Sequence, residues 1–178
     1  MKLILLVVTV ATIVGLFLGG RFRFFPSIPL GWWSLAIAGV VLQFVPLTGT
    51  PGYWALLGSF VLLLAFAALN IRAPGFILIM AGLFLNVIVI VANHGMPVTR
   101  EALVRSGQEA TLADLRANGG AKHHLAEGDA TLLSLGDAIA LPQPIGQAVS
   151  AGDVSVHLGV AWCIVASLRP REPRTTRI

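Results

Sequence analysis

The sequence predicts an all-α fold, a polytopic bundle of about five transmembrane helices with a long polar loop between the fourth and fifth spans. Of the 178 residues, 56% are hydrophobic, and the mean hydropathy is +0.86. Only 11% are charged, whereas a soluble domain carries roughly 25% charged residues. The charges are also segregated, so long stretches have none, which is typical of a membrane protein.

Five apolar segments have the composition of membrane spans. About 20 residues are needed to cross a hydrocarbon core of ~30 Å at ~1.5 Å per residue. The fifth segment is short, so it either begins a turn earlier and draws Asp153 into the membrane, or the bilayer thins around it. The predicted spans are residues 3–19, 29–47, 53–71, 76–92 and 154–168, within a single membrane domain covering residues 1–178.

The first segment has a second interpretation. Lys2 followed by an apolar run is typical of a secretory signal peptide, but no small-residue cleavage pattern comes after the run. The residues that follow include Arg21 and Arg23 among aromatic residues, which is typical of an interfacial anchor. We therefore expect an uncleaved first helix.

Arginines predict the orientation. Arg21, Arg23, Arg72 and the tail over residues 169–177 fall on one side of the five-span arrangement, and the positive-inside rule assigns that side to the cytoplasm. The long loop is then extracytoplasmic and the C-terminus cytoplasmic. The net charge of +4 is explained in the same way, and no basic patch with interleaved aromatics is present. We therefore expect the lipid bilayer, and no nucleic acid, as a partner.

The loop over residues 93–150 carries most of the acidic residues. The pattern predicts a short helix over 101–105, and a capping box at Thr111 and Asp114 before a second helix that ends near residues 118–120. Loops of this length are usually functional or disordered. A functional loop is favoured, because the chain returns to the membrane through a repeated Ser-x-Gly-Asp sequence.

Several polar residues fall within or at the ends of the predicted spans. We expect Gln43, Asn70 and Asn86 chiefly to hydrogen-bond neighbouring helices, at ~0.6 kcal/mol on average. His157 lies one helical turn after Asp153, on the same face. It is either a buried structural histidine or a partner of Asp153.

The Ser-x-Gly-Asp repeat, residues 134–137 and 150–153, has two interpretations. Each copy can be a capping box, in which a serine and the acid three residues later satisfy the start of a helix. Alternatively, Asp137 and Asp153 form a dyad in which one carboxyl keeps its proton and the other acts as a base. Prolines and a glycine between the copies are able to turn the chain back.

Residues 137–139 and 150–160 resemble the end of lipoprotein signal peptidase (signal peptidase II). In that family an Asp-Phe-Ile segment and an Asn-x-Ala-Asp segment supply the catalytic aspartates. This sequence has Ser150 in place of the asparagine and Gly152 in place of the alanine. The resemblance implies that Asp137 and Asp153 are catalytic, and that the substrate is a membrane peptide or a lipoprotein.

The whole chain is similar to a family of small bacterial multi-pass membrane proteins of unknown function. The shared segments are Asn-His-Gly-Met-Pro-Val over residues 93–98, Lys-His-His over 122–124, Leu-Gly-Asp over 135–137 and the second Ser-x-Gly-Asp copy. This similarity implies a bacterial plasma membrane location, and it supplies no activity.

Other chemistry finds little support in the sequence. His123 and His124, followed by two acids, suggest a metal site, but their spacing matches no zinc signature. No phosphate-binding loop is present, and the single cysteine, Cys163, excludes an intramolecular disulfide. We expect no metal and no cofactor.

Two functions remain open. The residues slightly favour a non-enzymatic membrane protein, a partner subunit or small carrier, in which both aspartates cap helices. The alternative is an outer-face aspartyl hydrolase or peptidase in which Asp137 and Asp153 are catalytic. Seven polar residues would support such a site: Asn93, His94, Arg100, His123, His124, Ser150 and His157.

Overall fold

The computed structural model describes residues 2–22, 28–120, 122–126 and 130–169. The predicted anchor residue Arg23, the acids at 127 and 129, and the arginines at 171, 174 and 177 lie outside these ranges. Within the ranges, the five long helices are α1 (Lys2–Phe17), α2 (Trp33–Phe44), α3 (Gly49–Leu69), α4 (Phe76–Asn93) and α7 (Ala151–Ser167). The loop contributes β1 (Met96–Val98), α5 (Arg100–Arg105), α6 (Glu109–Asn118), β2 (His123–Leu125), β3 (Ile139–Leu141) and β4 (Gln147–Val149).

The described part of the chain is mostly helical, as predicted. By length and composition, α3 and α4 are able to cross a membrane, whereas α1, α2 and α7 are shorter apolar helices. Five spans therefore stay a prediction. Helix α7 begins at Ala151 rather than at 154, so Asp153 lies in its first turn. Helix α2 begins at Trp33 rather than at 29, because the residues before it are irregular and Trp32 adopts a left-handed conformation.

The long helices pack in a row. Helix α1 lies against α7, α7 against α4, α4 against α3, and α3 against α2. The core of this row is formed by buried apolar side chains of α3 and α4, among them Phe60, Phe66, Phe76 and Ile90. Helix α4 thus lies at the centre of the row, between α7 and α3.

Glycines allow α4 and α7 to approach closely in antiparallel orientation. A Cβ added at Gly82 would overlap the carbonyl oxygen of Gly152, and one added at Gly159 would lie 2.5 Å from the carbonyl oxygen of Gly75. On each side the two glycines are seven residues apart, which is two helical turns and therefore one face. Gly75 also adopts a φ of 83° just before α4 begins, a conformation that glycine adopts without steric cost.

The two ends of the row differ. At one end, here called the loop end, Lys122 Nζ donates hydrogen bonds to the carbonyl oxygens of Gln43 and Val45, where α2 finishes. At the opposite end, here called the turn end, residues 70–75 connect α3 to α4. There the Arg21 amide donates to the Leu168 carbonyl over 2.9 Å. The loop elements and the start of α7 therefore share the loop end.

The loop has a small core of its own. Val98, Leu103 and Leu112 are buried together, with β1 pairing in parallel with β2 and β3 antiparallel to β4. The predicted short helix is present as α5. The predicted capping box at Thr111 is wrong, because α6 already begins at Glu109. The turn at Gly107, with a φ of 72°, separates α5 from α6 and sets this earlier start.

We predict that Gly159→Ala destabilises the folded protein by about 1–3 kcal/mol, because the new methyl group overpacks the contact between α4 and α7. Gly58→Ala is the matched control, since it lies within α3 and its Cβ would be 3.4 Å from the nearest atom. Removing a helical glycine there should stabilise by up to about 1 kcal/mol. Thermal unfolding midpoints of the detergent-solubilised proteins measure both effects. Equal midpoints for the two variants would contradict this packing.

Candidate functional site

Asp137 is attached to β1 through its backbone. Its amide donates to the Pro97 carbonyl over 2.9 Å, and its carbonyl accepts from the Thr99 amide over 3.2 Å. Val98 and Asp137 form a parallel bridge, on a strand that also pairs with β2. Because β1 begins three residues after α4 ends, these bonds place Asp137 near the loop end of α4.

A β-hairpin joins Asp137 to the start of α7. The register pairs Ile139 with Val149 and Leu141 with Gln147, so the chain that leaves Asp137 returns to Ser150. A 3-10 turn over Leu133–Leu135 packs against both α4 and α7. The hairpin therefore brings the two Ser-x-Gly-Asp copies to the same end of the bundle.

The two copies have different local structures. In the second copy the Ser150 hydroxyl accepts from the Asp153 amide over 2.9 Å, and the Ser150 amide donates to Asp153 Oδ2 over 3.2 Å. This capping box is confirmed. For the first copy the capping interpretation is wrong, since Ser134 lies inside the 3-10 turn and Asp137 takes part in the bridge to β1 instead of starting a helix.

Asn86 joins α4 to the second copy. Its side-chain amide donates to Asp153 Oδ1 over 2.8 Å, and its own carbonyl oxygen accepts from the Ser150 hydroxyl over 2.8 Å. As predicted, Asn86 hydrogen-bonds a neighbouring helix. Sequence reasoning did not identify its partner, because the two residues are 67 positions apart and no local pattern connects them. Asn86, Ser150 and Asp153 form a closed polar network between α4 and α7.

The Asp137 carboxyl group is buried. The residue is 6% exposed, and Oδ1 has no hydrogen-bond partner among the described residues. Burial, and next the negative charge of Asp153, raise the pKa of Asp137 to about 8. Asp137 is therefore protonated at neutral pH, close enough to Asp153 for the charge of one to act on the other.

His123 lies beside Asp137. Its Nε2 atom is 3.6 Å from Asp137 Oδ2, which is beyond hydrogen-bond reach. Desolvation lowers the pKa of His123, and the charge of Asp153 acts in the opposite direction. Since 54% of the histidine side chain is exposed, solvent moderates the desolvation. The lowered pKa of His123 and the raised pKa of Asp137 both favour a neutral pair over an ion pair.

Two of the predicted supporting residues, His157 and Asn93, contact main-chain groups and not the aspartate carboxyl groups. The His157 Nδ1 atom is 2.6 Å from the main-chain carbonyl oxygen of Asp153, not from its carboxylate. Asn93 donates to the Thr131 carbonyl and accepts from the Thr131 amide, each over 2.9 Å. His157 thus contacts the backbone of α7, and Asn93 fixes a loop segment on the end of α4.

The remaining supporting residues surround the site less closely. His94 directly follows α4 and stacks on Tyr53, with ring centroids 5.7 Å apart. The ring of His124 packs against Gly95, where an added Cβ would be 3.0 Å from Nδ1. Arg100 is exposed at the start of α5. The structure thus brings Ser150, Asp153, Asp137 and His123 to one region, and leaves Arg100 on the surface.

The adjacent histidines His123 and His124 are the metal ligands that the sequence suggests. In the part of the chain that the structure describes, no three histidine, cysteine or acidic side chains converge as metal ligands do. The acids at 127 and 129, which completed the metal interpretation, lie outside the described residues.

Comparison with known proteins gives the family. Residues 27–165 match a family of unknown function, DUF5317. The chain belongs to this family. The match includes Asn86 and both Ser-x-Gly-Asp copies, and it confirms the predicted relation to an uncharacterised family. No curated protein and no solved structure matches the chain. Because the function of DUF5317 is unknown, membership assigns no activity to this chain. The resemblance to signal peptidase II is limited to residues 137–139 and 150–160.

We predict that Asp137→Asn stabilises the protein relative to wild type increasingly as the pH rises from 5 to 8. The pKa of Asp137 is raised to about 8 from an ordinary value of 3.8. Between those values the folded chain holds a proton that the unfolded chain releases, so wild-type stability falls as the pH rises. The difference in unfolding free energy between Asp137→Asn and wild type grows by up to about 1.4 kcal/mol per pH unit, and it levels off above pH 8. Thermal unfolding from pH 5 to pH 9 measures it.

The control for this titration is Asp114→Asn, which removes an exposed carboxylate from α6. Its unfolding midpoint should follow that of wild type in parallel across the same range. A constant difference between Asp137→Asn and wild type from pH 5 to pH 8 would contradict a protonated Asp137.

We predict that Asn86→Ala costs about 1–3 kcal/mol of stability, because it leaves the Ser150 hydroxyl and Asp153 Oδ1 without their partner at a buried contact. In a double-mutant cycle with Asp153→Asn, the two changes should couple by at least about 0.5 kcal/mol. Additive effects in chemical or thermal unfolding would contradict a direct bond between the two helices.

Proposed function

We propose that this chain is a multi-pass membrane protein that hydrolyses a peptide bond at its loop end, with Asp137 as the acid and Asp153 as the base. One observation carries this proposal. Asp137 is a buried carboxyl group whose Oδ1 atom has no hydrogen-bond partner among the described residues, and the charge of Asp153 helps to keep it protonated. Aspartyl catalysis depends on two carboxyl groups, one of which is protonated while the other is ionised.

The surface of the long helices supports the membrane part of the proposal. Each of the five carries large apolar side chains that are exposed, and such patches indicate a lipid or protein environment. The helix interiors contain no lysine, arginine or acid; Lys2 and Asp153 lie at helix starts. The shorter helices are accommodated by local thinning of the bilayer. Examples of the exposed side chains, one from each helix, are Leu5, Ile37, Trp54, Ile77 and Leu158.

The arginine distribution supports an outer-face site. Arg72 and Arg169 lie at the turn end, and the positive-inside rule assigns that end to the cytoplasm. The loop end with both aspartates then faces outward. A substrate would be a polypeptide that presents its scissile bond at the outer membrane surface, the class that the resemblance to signal peptidase II also implies.

The chemistry follows from the different protonation of the two groups. Asp153 removes a proton from a water molecule, whose oxygen attacks the carbonyl carbon of the substrate, while Asp137 donates its proton to the carbonyl oxygen. As the bond to nitrogen breaks, the carbonyl re-forms and the tetrahedral intermediate returns that proton to Asp137. In the same step the proton held by Asp153 passes to the departing amine. Both carboxyl groups end in their starting states.

The polar network has a positioning role in this scheme. Each oxygen of Asp153 accepts one hydrogen bond, from Asn86 or from the Ser150 amide. A carboxylate oxygen has two lone pairs, so each retains capacity for a water molecule. Asn86 and Ser150 therefore hold the carboxylate of Asp153 in a fixed position.

A non-enzymatic role is the second candidate. The confirmed capping box at Ser150 and the bond from Asn86 are sufficient to explain Asp153 as a structural residue that joins α7 to α4. In a partner subunit or small carrier, Asp137 would then be a buried neutral acid with no reaction to perform. Hydrolysis and a structural role give different results when the carboxyl groups are changed one at a time.

In a strain that lacks the gene, we predict accumulation of an uncleaved membrane polypeptide. Wild type and Asp114→Asn should clear it, whereas Asp137→Asn and Asp153→Asn should not, even though both variants reach normal levels in the membrane. Quantitative mass spectrometry of polypeptide N-termini in the membrane fraction measures the clearance, and immunoblotting measures the variants. The non-enzymatic role is favoured instead if both aspartate variants restore the wild-type pattern or if no precursor accumulates.

A further inference from the structure

We propose that the turn end binds one anionic phospholipid, with its phosphate on Arg72 and an acyl chain in an apolar cavity between α2, α3, α4 and α7. This site lies at the opposite end of the bundle from Asp137 and Asp153, and it is independent of the proposed hydrolysis.

The apolar part is a cavity of about 280 Å³. Its walls include Leu30, Trp33, Phe66, Phe76 and Cys163, and none of the described residues that line it is charged. The polar side chain in the wall, that of Ser167, donates to the Ile164 carbonyl of its own helix over 2.8 Å. The cavity thus favours a hydrocarbon chain over water or a polar ligand.

A second cavity of about 460 Å³ adjoins it around the α3–α4 turn. It is called the polar cavity here because Asn70 and Arg72 line it beside apolar side chains. Ile28 lines both cavities. In the polar cavity, Asn70 is already bonded to the Gly31 amide and to the Gly31 and Phe66 carbonyls. Asn70 therefore fixes the wall between α2 and α3 and is not left to bind a ligand.

Arg72 supplies the charge of the polar cavity. Its side chain is exposed, and it forms no ion pair with the acids that the structure describes. A guanidinium group binds phosphate through two parallel hydrogen bonds. A basic pocket between membrane helices is a known setting for lipid headgroups.

The two adjoining cavities together favour a lipid over other occupants. A soluble phosphate would fill only the polar cavity, and a helix from a second copy would leave Arg72 without a counter-charge. Trp33 and Arg72 lie next to helix ends, the level at which aromatic and basic residues meet the headgroup layer. A phospholipid places its phosphate at that level and its chain among the helices.

Native mass spectrometry of the full-length protein in detergent tests this site, with phosphatidylglycerol, phosphatidylcholine or inorganic phosphate added separately. We expect one phosphatidylglycerol per chain, bound at least about tenfold more tightly than phosphatidylcholine, since a charge-assisted pair to phosphate is lost or compensated in the zwitterion. Arg72→Gln should remove this preference. Arg116→Gln, an exposed arginine on α6, should leave it unchanged.

A second readout reports on the apolar cavity. Cys163 is the single cysteine of the chain, so its rate of alkylation measures access to the cavity. Phosphatidylglycerol should slow alkylation in wild type and in Arg116→Gln, and should slow it less in Arg72→Gln. Equal binding of the two lipids, a preference that survives Arg72→Gln, alkylation unaffected by lipid, or binding of phosphate without lipid would each overturn the proposal.

Discussion

The close contact between α4 and α7 determines where the polar groups of this protein meet. Gly75 and Gly82 face Gly159 and Gly152, so that the backbones of the two helices approach without intervening side chains. In a bilayer, where lipid tails are as apolar as leucine, small residues that permit such packing are a main source of helix association. The remaining long helices are arranged around this pair.

The same contact fixes the candidate site. With the helices this close, Asn86 on α4 reaches both Ser150 and Asp153 on α7. The hairpin of β3 and β4 then returns the chain to α7. The Asp137 amide donates to the carbonyl of Pro97 in β1, and its carbonyl accepts from the amide of Thr99 just after β1. Asp153 is thus hydrogen-bonded at a helix start. Asp137 is buried, and its Oδ1 atom has no hydrogen-bond partner in the part of the chain that the structure describes. The two aspartates therefore have different environments.

Much of the helical framework could be predicted from the sequence. Apolar runs of helical length placed all five long helices, and the serine three residues before Asp153 predicted a capping box that the structure confirms. The four short strands were not predicted, because three-residue strands have no detectable alternation and their pairing depends on distant partners. The two Ser-x-Gly-Asp copies look alike in sequence, and this likeness wrongly predicted a helix cap at both. Asp137 instead pairs with β1, which lies about 40 positions earlier, and no local pattern shows this pairing. Asn86 was recognised as a polar residue on a helix face, but its partner became evident only from the contact of α4 with α7.

The most direct measurement is the titration of the Asp137 carboxyl group by infrared difference spectroscopy, with Asp137→Asn identifying its band. We expect a protonated carboxyl at neutral pH that ionises near pH 8. In Asp153→Asn the same band should titrate at lower pH, because the negative charge that helps to raise the pKa of Asp137 has been removed. An ionised Asp137 at neutral pH, or a titration that does not respond to Asp153→Asn, would contradict the claim that the two carboxyl groups share one site.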